Sequence, residues 1–131
     1  MANISPGELL VDLGAGDGRI VILAAMLYRA RAIGVEIDPL RCFFANLVIL
    51  LLGLRRKAHV YYGNMFSFDI TSANVVVLYL LNSTTQKLKK KLVKELRCDA
   101  RIVSNTFAIS GWSPIAYDDC RRIFLYQIEK M

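Results

Sequence analysis

The stretch from Leu9 to Pro39 decides the fold class of this 131-residue chain. It opens on Leu9-Leu10-Val11-Asp12-Leu13-Gly14-Ala15-Gly16-Asp17-Gly18, passes through a helical segment and closes with Gly34-Val35-Glu36-Ile37-Asp38-Pro39. This order is that of a complete nucleotide-binding β-α-β unit. Glycines at alternate positions let the backbone approach a ligand where a Cβ would collide, and a carboxylate ending the next strand can accept hydrogen bonds from a ribose. The pattern therefore predicts a ligand that contains a nucleoside.

The spacing of the glycines distinguishes between two nucleoside cofactors. Dinucleotide sites favour Gly-x-Gly-x-x-Gly, with a helix N-terminus directed at a pyrophosphate. Here the third glycine, Gly18, comes one residue early, and Asp12 precedes the first glycine by two. The resulting Asp-x-Gly-x-Gly-x-Gly pattern resembles the cofactor loop of class I S-adenosylmethionine (SAM) methyltransferases, whose ligand presents an amino acid and a sulfonium. Because an acidic loop suits a cationic ligand and repels pyrophosphate, SAM is favoured over NAD.

Length and composition limit the remaining possibilities. A chain of 131 residues, 55% of them hydrophobic, can bury a single core, so residues 1–131 are predicted to form one domain. The N-terminus lacks a basic and then apolar signal pattern, which favours an intracellular, cytoplasmic protein. Cys42, Cys98 and Cys120 have no C-x-x-C spacing, so we expect free thiols and neither a metal site nor a disulfide framework.

The net charge of +6 is concentrated in clusters at residues 55–57, 87–94 and 121–122. One interpretation is attraction to an acidic partner such as nucleic acid. The other is a set of solvated helix faces and turns. The second is favoured because the clusters fall on separate elements without interleaved aromatic residues.

Hydrophobic periodicity predicts alternating strands and helices. Predicted strands cover residues 9–13, 32–37, 58–62, 75–80, 101–107 and 123–129, and predicted helices cover residues 18–30, 39–52 and 84–96. Continuous apolar runs in the central strands indicate a parallel sheet covered on both faces, and hence an α/β, doubly wound, Rossmann-like fold. The loop before the last strand is too short for a crossover, so this strand is predicted to enter antiparallel, in a hairpin with residues 115–117. That arrangement also resembles the class I methyltransferase sheet.

The second predicted helix is apolar on almost all sides between Cys42 and Gly53, although a helix that covers a sheet needs only one apolar stripe. At about ten residues this run is too short to cross a bilayer, for which ~20 are needed. Class I methyltransferases usually place a helix before the first strand, whereas eight residues precede Leu9 here. We therefore expect the outer faces of the first two helices to be buried against another chain, and hypothesise a homodimer.

Ligands of open α/β sheets bind beyond the carboxyl ends of the strands, which selects candidate site residues by position. His59, the only histidine, begins a strand at the opposite edge and is therefore a poor candidate for a catalytic base. The candidates at the carboxyl edge are Asp12, Gly14, Gly16, Glu36, Asn64, Tyr79 and Asn105.

The chemistry of these residues suggests individual roles. Glu36 is the expected ribose ligand, because a carboxylate can accept from both hydroxyls at once. Asp38, which precedes a proline, fits a helix N-cap better. Asp12 is expected either to hold the glycine loop or to reach the amino group of the cofactor. After the third strand, the Asn64 amide oxygen can accept from the adenine amino group, and the Met65 N–H can donate to the ring.

The fourth strand ends in Leu78-Tyr79-Leu80-Leu81-Asn82, which lacks the Asn/Asp-Pro-Pro-aromatic tetrad of many nucleic-acid amino-methyltransferases. Together with residues 12–20, 34–38 and 63–66 and the Phe-x-Ile-x-Gly-Trp-x-Pro stretch at 107–114, it resembles the small archaeal protein-lysine methyltransferases and their mitochondrial relatives, nearly end to end. The resemblance implies a SAM-dependent N-methyltransferase that acts on protein lysine. It also implies a cofactor site formed by Asp12, Leu13, Gly14, Gly16, Gly18, Glu36, Ile37, Asn64 and Met65.

Methyl transfer from a sulfonium needs an aligned acceptor in a dry site and requires no metal. An amine acceptor must first lose its proton, and because free lysine has a pKa of about 10.4, an aromatic slot of low dielectric would help. Tyr79 is the first candidate for this catalytic slot and Trp112 the second, and Asn105 is a further candidate for contact with the substrate. Core or loop packing is the alternative for both aromatic residues and is favoured for Trp112.

Two features depart from the pattern of that family. Its members use an upstream segment to help shape the acceptor site, and this chain is expected to lack that segment. In addition, an acidic residue commonly opens the fourth strand of the family, where this chain has Asn74. Two alternatives therefore stay open. One is methylation of RNA or a small molecule, which the basic clusters allow, and the other is a SAM-binding module without turnover.

Overall fold

The computed structural model describes residues 2–129 and contains one seven-stranded sheet with helices on both faces. The strand order is β3-β2-β1-β4-β5-β7-β6, and β7 alone runs antiparallel to its two neighbours. This confirms the predicted doubly wound α/β fold with an antiparallel C-terminal strand. In chain order the elements are β1 (Leu9–Leu13), α1 (Arg19–Tyr28), β2 (Arg31–Glu36), α2 (Pro39–Leu51), β3 (Ala58–Tyr62), β4 (Val75–Leu78), α3 (Asn82–Lys87), α4 (Lys89–Glu95), β5 (Arg101–Asn105), β6 (Ala116–Asp118) and β7 (Ile123–Gln127).

Predicted and observed bounds agree at β1 and β3 and differ by one or two residues at most other ends. Strands β4 and β5 each end two residues earlier than predicted. Tyr79 and Thr106 consequently lie just beyond the paired part of the sheet, where side chains are free to line a ligand site.

The predicted helix at 84–96 forms as two shorter helices, α3 and α4, separated at Leu88. The Leu88 N–H is shared between the Thr84 and Thr85 carbonyls, at 3.2 Å each. Because Leu88 keeps helical dihedral angles, the interruption is a local irregularity in hydrogen bonding. The prediction was wrong in placing one continuous helix here.

The two faces of the sheet are packed with residues of different size. Helices α1 and α2 cover one face with small side chains such as Ala24, Ala25 and Ala45. The other face is covered by large side chains, among them Leu92 of α4 and Tyr126 of β7. Small residues let α1 and α2 lie close to the strands, which fixes the glycine loop that connects β1 to α1.

Side-chain hydrogen bonds fasten the segment before β1. Arg101 of β5 donates to the Ala2 carbonyl at 2.8 Å and to Glu8 Oε2 at 2.6 Å. The hydrogen bond from Arg101 lowers the pKa of the Glu8 carboxyl. Asn74, just before β4, accepts from the Leu9 N–H through Oδ1 at 2.8 Å. The start of β1 is therefore attached to both β4 and β5.

The edge strand β3 is attached to α2 through one amide side chain. Asn46 Nδ2 donates to the Val60 carbonyl at 2.8 Å, and Asn46 Oδ1 accepts from the Val60 N–H at 2.9 Å. Both backbone polar groups of Val60 are thus bonded to a helix of the same chain.

None of the helices within residues 2–129 combines the length and the apolar character that crossing a membrane requires. The longest, α2, has 13 residues.

Candidate active site

A cleft of about 480 Å³ opens at the carboxyl ends of the parallel strands. It brings together five of the residues predicted for the site, namely Asp12, Gly14, Gly16, Tyr79 and Asn105. The loop from β1 forms one wall, while the residues that follow β4 and end β5 form the other. This is the position expected for the ligand of an open α/β sheet.

The three glycines of the β1–α1 loop have different roles. Gly16 has a φ of 58°, and a Cβ placed on it would meet no atom within 4 Å, so the space beside its backbone is open to a ligand. At Gly14 a Cβ would lie 2.6 Å from Leu80 Cδ2. At Gly18 it would lie 2.9 Å from the Ala45 Cβ of α2. Gly18 therefore serves helix packing, and Gly16 is the glycine that leaves room for a cofactor.

Glu36 holds the glycine loop from the end of β2. Its Oε1 accepts from the Gly16 N–H at 2.7 Å and its Oε2 accepts from the Asp38 N–H at 3.0 Å. Each carboxylate oxygen can accept a second hydrogen bond, so the side chain keeps the capacity to bind a ribose diol. As predicted from its sequence position, Asp38 caps α2, with Oδ1 accepting from the Leu40 N–H at 2.9 Å.

Asp12 is more deeply buried than Glu36, with 2% of its surface exposed against 7%. Within residues 2–129, its Oδ1 atom is buried without a hydrogen-bond partner. Burial, together with the nearby charges of Glu36 and Asp17, raises the pKa of the Asp12 carboxyl to about 7. A buried acceptor that lacks a donor fits a cationic amine, and this favours the role of reaching the cofactor amino group over that of holding the loop.

The remaining predicted cofactor residues differ in their accessibility. Ile37 is 62% exposed at the end of β2, whereas the Leu13 side chain is fully buried in the core, so Leu13 could contribute only its backbone. The Asn64 Oδ1 atom already accepts from the Phe66 N–H at 2.9 Å and retains a second lone pair. In the described part of the chain, the Met65 N–H donates no hydrogen bond to another backbone group, which leaves it available to an adenine ring.

Tyr79 and Asn105 also line a second groove, of about 370 Å³, whose other walls include Leu81 and Phe107. The Tyr79 side chain is 61% exposed. The Asn105 Oδ1 atom accepts from the Thr106 hydroxyl at 2.9 Å. Because the same two residues border both spaces, the groove adjoins the cleft.

Trp112 and His59 both lie away from this cleft. Trp112 lines a separate pocket with β7 residues, and its ring lies edge-on to that of Tyr126 at 5.9 Å. These surroundings support a role for Trp112 in packing against β7, which was favoured over a role in the acceptor slot. His59 lies at the opposite end of the fold beside α2, with its ring 4.4 Å from that of Tyr61.

Three charged residues that border the cleft are absent from the predicted site, namely Asp17, Arg19 and Arg41. The two arginines lie in the first turns of α1 and α2. Helices that follow parallel strands begin at the ligand-binding edge of the sheet. The position of both arginines at the start of such helices could therefore have predicted that they border the cleft.

No cluster of His, Cys, Asp and Glu side chains between residues 2 and 129 is suited to a metal ion. Cys42, Cys98 and Cys120 are free thiols.

Comparison with known proteins identifies relatives over most of the chain. A family model described as the ANTKMT methyltransferase domain matches residues 12–116. A protein-lysine N-methyltransferase of Saccharolobus islandicus is 42% identical over 115 residues, which are 87% of this chain and 71% of that protein. The adenine nucleotide translocase lysine N-methyltransferase of Mus musculus is 31% identical over 125 residues, which are 94% of this chain but 54% of the mouse protein.

Among solved structures, the chain resembles an RNA methyltransferase from Salinibacter ruber in complex with S-adenosyl-L-homocysteine. The TM-score is 0.96 at 36% identity, and the match covers 99% of this chain and 86% of the other. The chain is thus similar both to proteins named for lysine and to one named for RNA.

Proposed function

This chain belongs to the family of the ANTKMT methyltransferase domain, and we propose that it methylates the side-chain amine of protein lysine. S-adenosylmethionine is its methyl donor. The identity to an archaeal lysine methyltransferase over 87% of the chain supports a protein substrate. We further propose that residues 1–131 form a single SAM-binding domain, in keeping with one sheet that joins all the described strands.

Four residues are proposed to hold the cofactor: Asp12, which lines the cleft, and Glu36, Asn64 and Met65, which lie outside its lining but at or just after the ends of β2 and β3. When bound, the cofactor supplies a methyl group on a positively charged sulfur. Asp12 accepts from its amino group, because the buried Oδ1 atom needs a donor. Glu36 accepts from the ribose while it holds the Gly16 N–H. Asn64 and Met65 bind the adenine edge, with the amide oxygen accepting and the N–H donating.

The observation that carries the proposed acceptor site is that Tyr79 and Asn105 border both the cleft and the adjoining groove. Besides these two residues, Thr106 and three apolar side chains line the groove, namely Leu80, Leu81 and Phe107. Such surroundings lower the pKa of an entering lysine amine, because the charged form is poorly solvated there. In this proposal the Tyr79 hydroxyl orients that amine, which makes Tyr79 the catalytic residue.

The test of this site is a comparison of two Tyr→Phe variants. Tyr79→Phe should lower the rate of methyl transfer to protein about tenfold through loss of one hydrogen bond, without weakening SAM binding. Tyr117→Phe, at an exposed tyrosine of β6, is the matched control and should retain the wild-type rate. Equal rates for the two variants would remove Tyr79 from the reaction.

Methylation of RNA is the second candidate function. Arg19 and Arg41 border the cleft, and guanidinium groups bind phosphates well. The net charge of +6 and the similarity to a protein named as an RNA methyltransferase favour the same candidate. Incubation with labelled SAM and either a mixed protein extract or total RNA separates the two functions, since label should enter protein only. Binding of SAM without label in either fraction would favour a module without turnover.

Homodimerisation through α1 and α2, a cytoplasmic location and an archaeal type of protein stay predictions. The exposed apolar surface of α2 supports association of these helices with another molecule. The positive charges around it weigh against a second copy as the partner.

A further inference from the structure

The outward surfaces of α1 and α2 are apolar and exposed. On α2, Leu51 is 76% exposed and Phe43 is 61% exposed, and on α1, Leu27 is 68% exposed. These residues, together with Leu23, Phe44 and Leu47, are here called the outer apolar face. Both helices cover the same side of the sheet, so the face is shared between neighbouring elements. Large exposed apolar surfaces of this kind mark sites of association.

A group of cations lies at one end of this face. Arg29 and Arg31 follow α1, and Arg55, Arg56 and Lys57 precede β3. All five are exposed. The two turns that carry them touch, because the Ala32 N–H donates to the Lys57 carbonyl at 2.7 Å. These five residues are here called the basic end.

The charge balance around the outer apolar face selects the kind of partner. Of the seven Lys and Arg residues between residues 19 and 62, Arg19 and Arg41 form ion pairs with Asp17 and Asp38, at 3.3 and 3.8 Å, and the other five form the basic end. The remaining acidic residue in this range is Glu36. Glu36 is buried. A symmetric dimer through this face would bring two such positive surfaces together, and like charges that meet at an interface oppose association. A negatively charged partner has no such cost.

Two grooves beside α2 combine apolar walls with guanidinium groups. One, of about 400 Å³, is lined by Leu47, Leu50 and Arg55 among others. The other, of about 510 Å³, shares Leu50 and Arg55 and adds Arg56. Acyl chains suit the apolar walls, and phosphate groups suit arginine, whose planar fork binds phosphate oxygens in pairs. A phospholipid carries both an acyl chain and a phosphate group, so it suits these two grooves.

We propose that the outer apolar face and the basic end dock this domain on the surface of a bilayer that contains anionic phospholipid. In this arrangement α1 and α2 lie against the headgroup region without crossing it, as amphipathic elements with basic flanks do. The cleft opens at the carboxyl ends of the strands, and the basic end lies at the amino ends of β2 and β3. Docking therefore leaves the cleft accessible to a methyl acceptor.

Co-sedimentation of the full chain with vesicles tests this proposal. The chain should sediment with phosphatidylcholine vesicles that contain about 30 mol% phosphatidylserine and much less with phosphatidylcholine alone. Raising the salt from about 0.1 M to about 0.5 M should weaken the binding, because screening shortens the reach of the basic end.

Paired variants separate the two parts of the surface. Arg55→Gln combined with Arg56→Gln should lower the vesicle affinity about 30-fold, and Leu51→Ser about tenfold. Matched controls lie on α4, on the other side of the sheet. Lys90→Gln combined with Lys94→Gln removes the same charge, Val93→Ser removes an exposed apolar side chain, and both should bind vesicles as the wild type does. Retained SAM binding shows that each variant is folded.

Several outcomes would overturn the proposal. These are absence of sedimentation with the anionic vesicles, equal binding to neutral and anionic vesicles, and equal losses from the α4 controls. A dimer in analytical ultracentrifugation that Leu51→Ser dissociates, without any vesicle binding, would assign the outer apolar face to a second copy of the chain.

Discussion

Replacing Asp12 by Asn should make the free protein more stable and its cofactor binding weaker. Burial, with Glu36 and Asp17 nearby, raises the pKa of Asp12 from an ordinary value of 3.8 to about 7. That difference corresponds to about 4 kcal/mol, which the folded state loses when the carboxyl ionises. An Asn side chain cannot ionise, so Asp12→Asn should recover about 2 to 4 kcal/mol of unfolding free energy at pH 8.

The pH dependence of this gain distinguishes it from an ordinary stabilising mutation. Because the folded pKa of Asp12 lies above the unfolded one, the folded state binds more protons between about pH 4 and pH 7. The contribution of Asp12 to stability is therefore lost as the pH rises through that window. The difference in unfolding free energy between Asp12→Asn and the wild type should grow from near zero at about pH 4 to its full value above pH 7.

Cofactor binding should change in the opposite direction. Loss of a charge-assisted hydrogen bond to the amino group should weaken SAM binding about 10- to 100-fold. The wild-type affinity should rise with pH through the range in which Asp12 ionises, and the variant should lack this rise. Urea denaturation from pH 4 to pH 8.5 and isothermal titration with SAM provide the two measurements. A control, Asp99→Asn, changes an exposed carboxylate and should alter neither. An Asp12→Asn protein that is less stable at pH 8 and binds SAM normally would refute the reasoning.

Three further changes test the surroundings of the cleft. Glu36→Ala should weaken SAM binding by about 2 kcal/mol or more in titration calorimetry, because ribose hydroxyls and the Gly16 N–H lose their acceptor, and Glu36→Gln should lose less. Gly34→Ala should lower the urea unfolding free energy by about 1 to 3 kcal/mol, since its Cβ would lie 2.5 Å from the Ala15 Cβ, whereas Gly63→Ala, with no atom within 4 Å, should have little effect. Asn74→Leu should cost about 1 to 3 kcal/mol in thermal or urea unfolding by leaving a β1 N–H unpaired, and Asn74→Asp, which restores an acceptor, should recover most of it.

The sequence contained enough information for the sheet and for the loop that borders the cleft. Apolar residues that alternate with polar ones, or that form a short continuous run, predict strands well. The bounds of β1 and β3 are those predicted. Asp12 and Glu36 are placed by local sequence, because each lies on or at the end of a strand whose direction the β-α-β pattern determines. These features depend on neighbours in the chain.

The features that could not be predicted depend on contacts between distant segments. The position of Trp112 follows from packing of the 107–115 loop on Tyr126 of β7, which no local pattern specifies. Likewise, the packing of Gly18 against Ala45 and Val60 appears only once α2 and β3 are in place. One unpredicted feature is local: the interruption at Leu88 accompanies shared hydrogen bonds that helix propensity does not encode.

The attachment of Asn46 to Val60 has a consequence for how copies of this chain meet one another. A strand at the edge of a sheet offers free N–H and C=O groups that can pair with a strand of another molecule, which is a common route to aggregation. At the middle of β3 both groups are occupied by one amide side chain from α2. Growth of the sheet into a second molecule would have to displace that side chain first. The chain can therefore expose an apolar helix surface while the adjacent strand stays protected from fibrillar pairing.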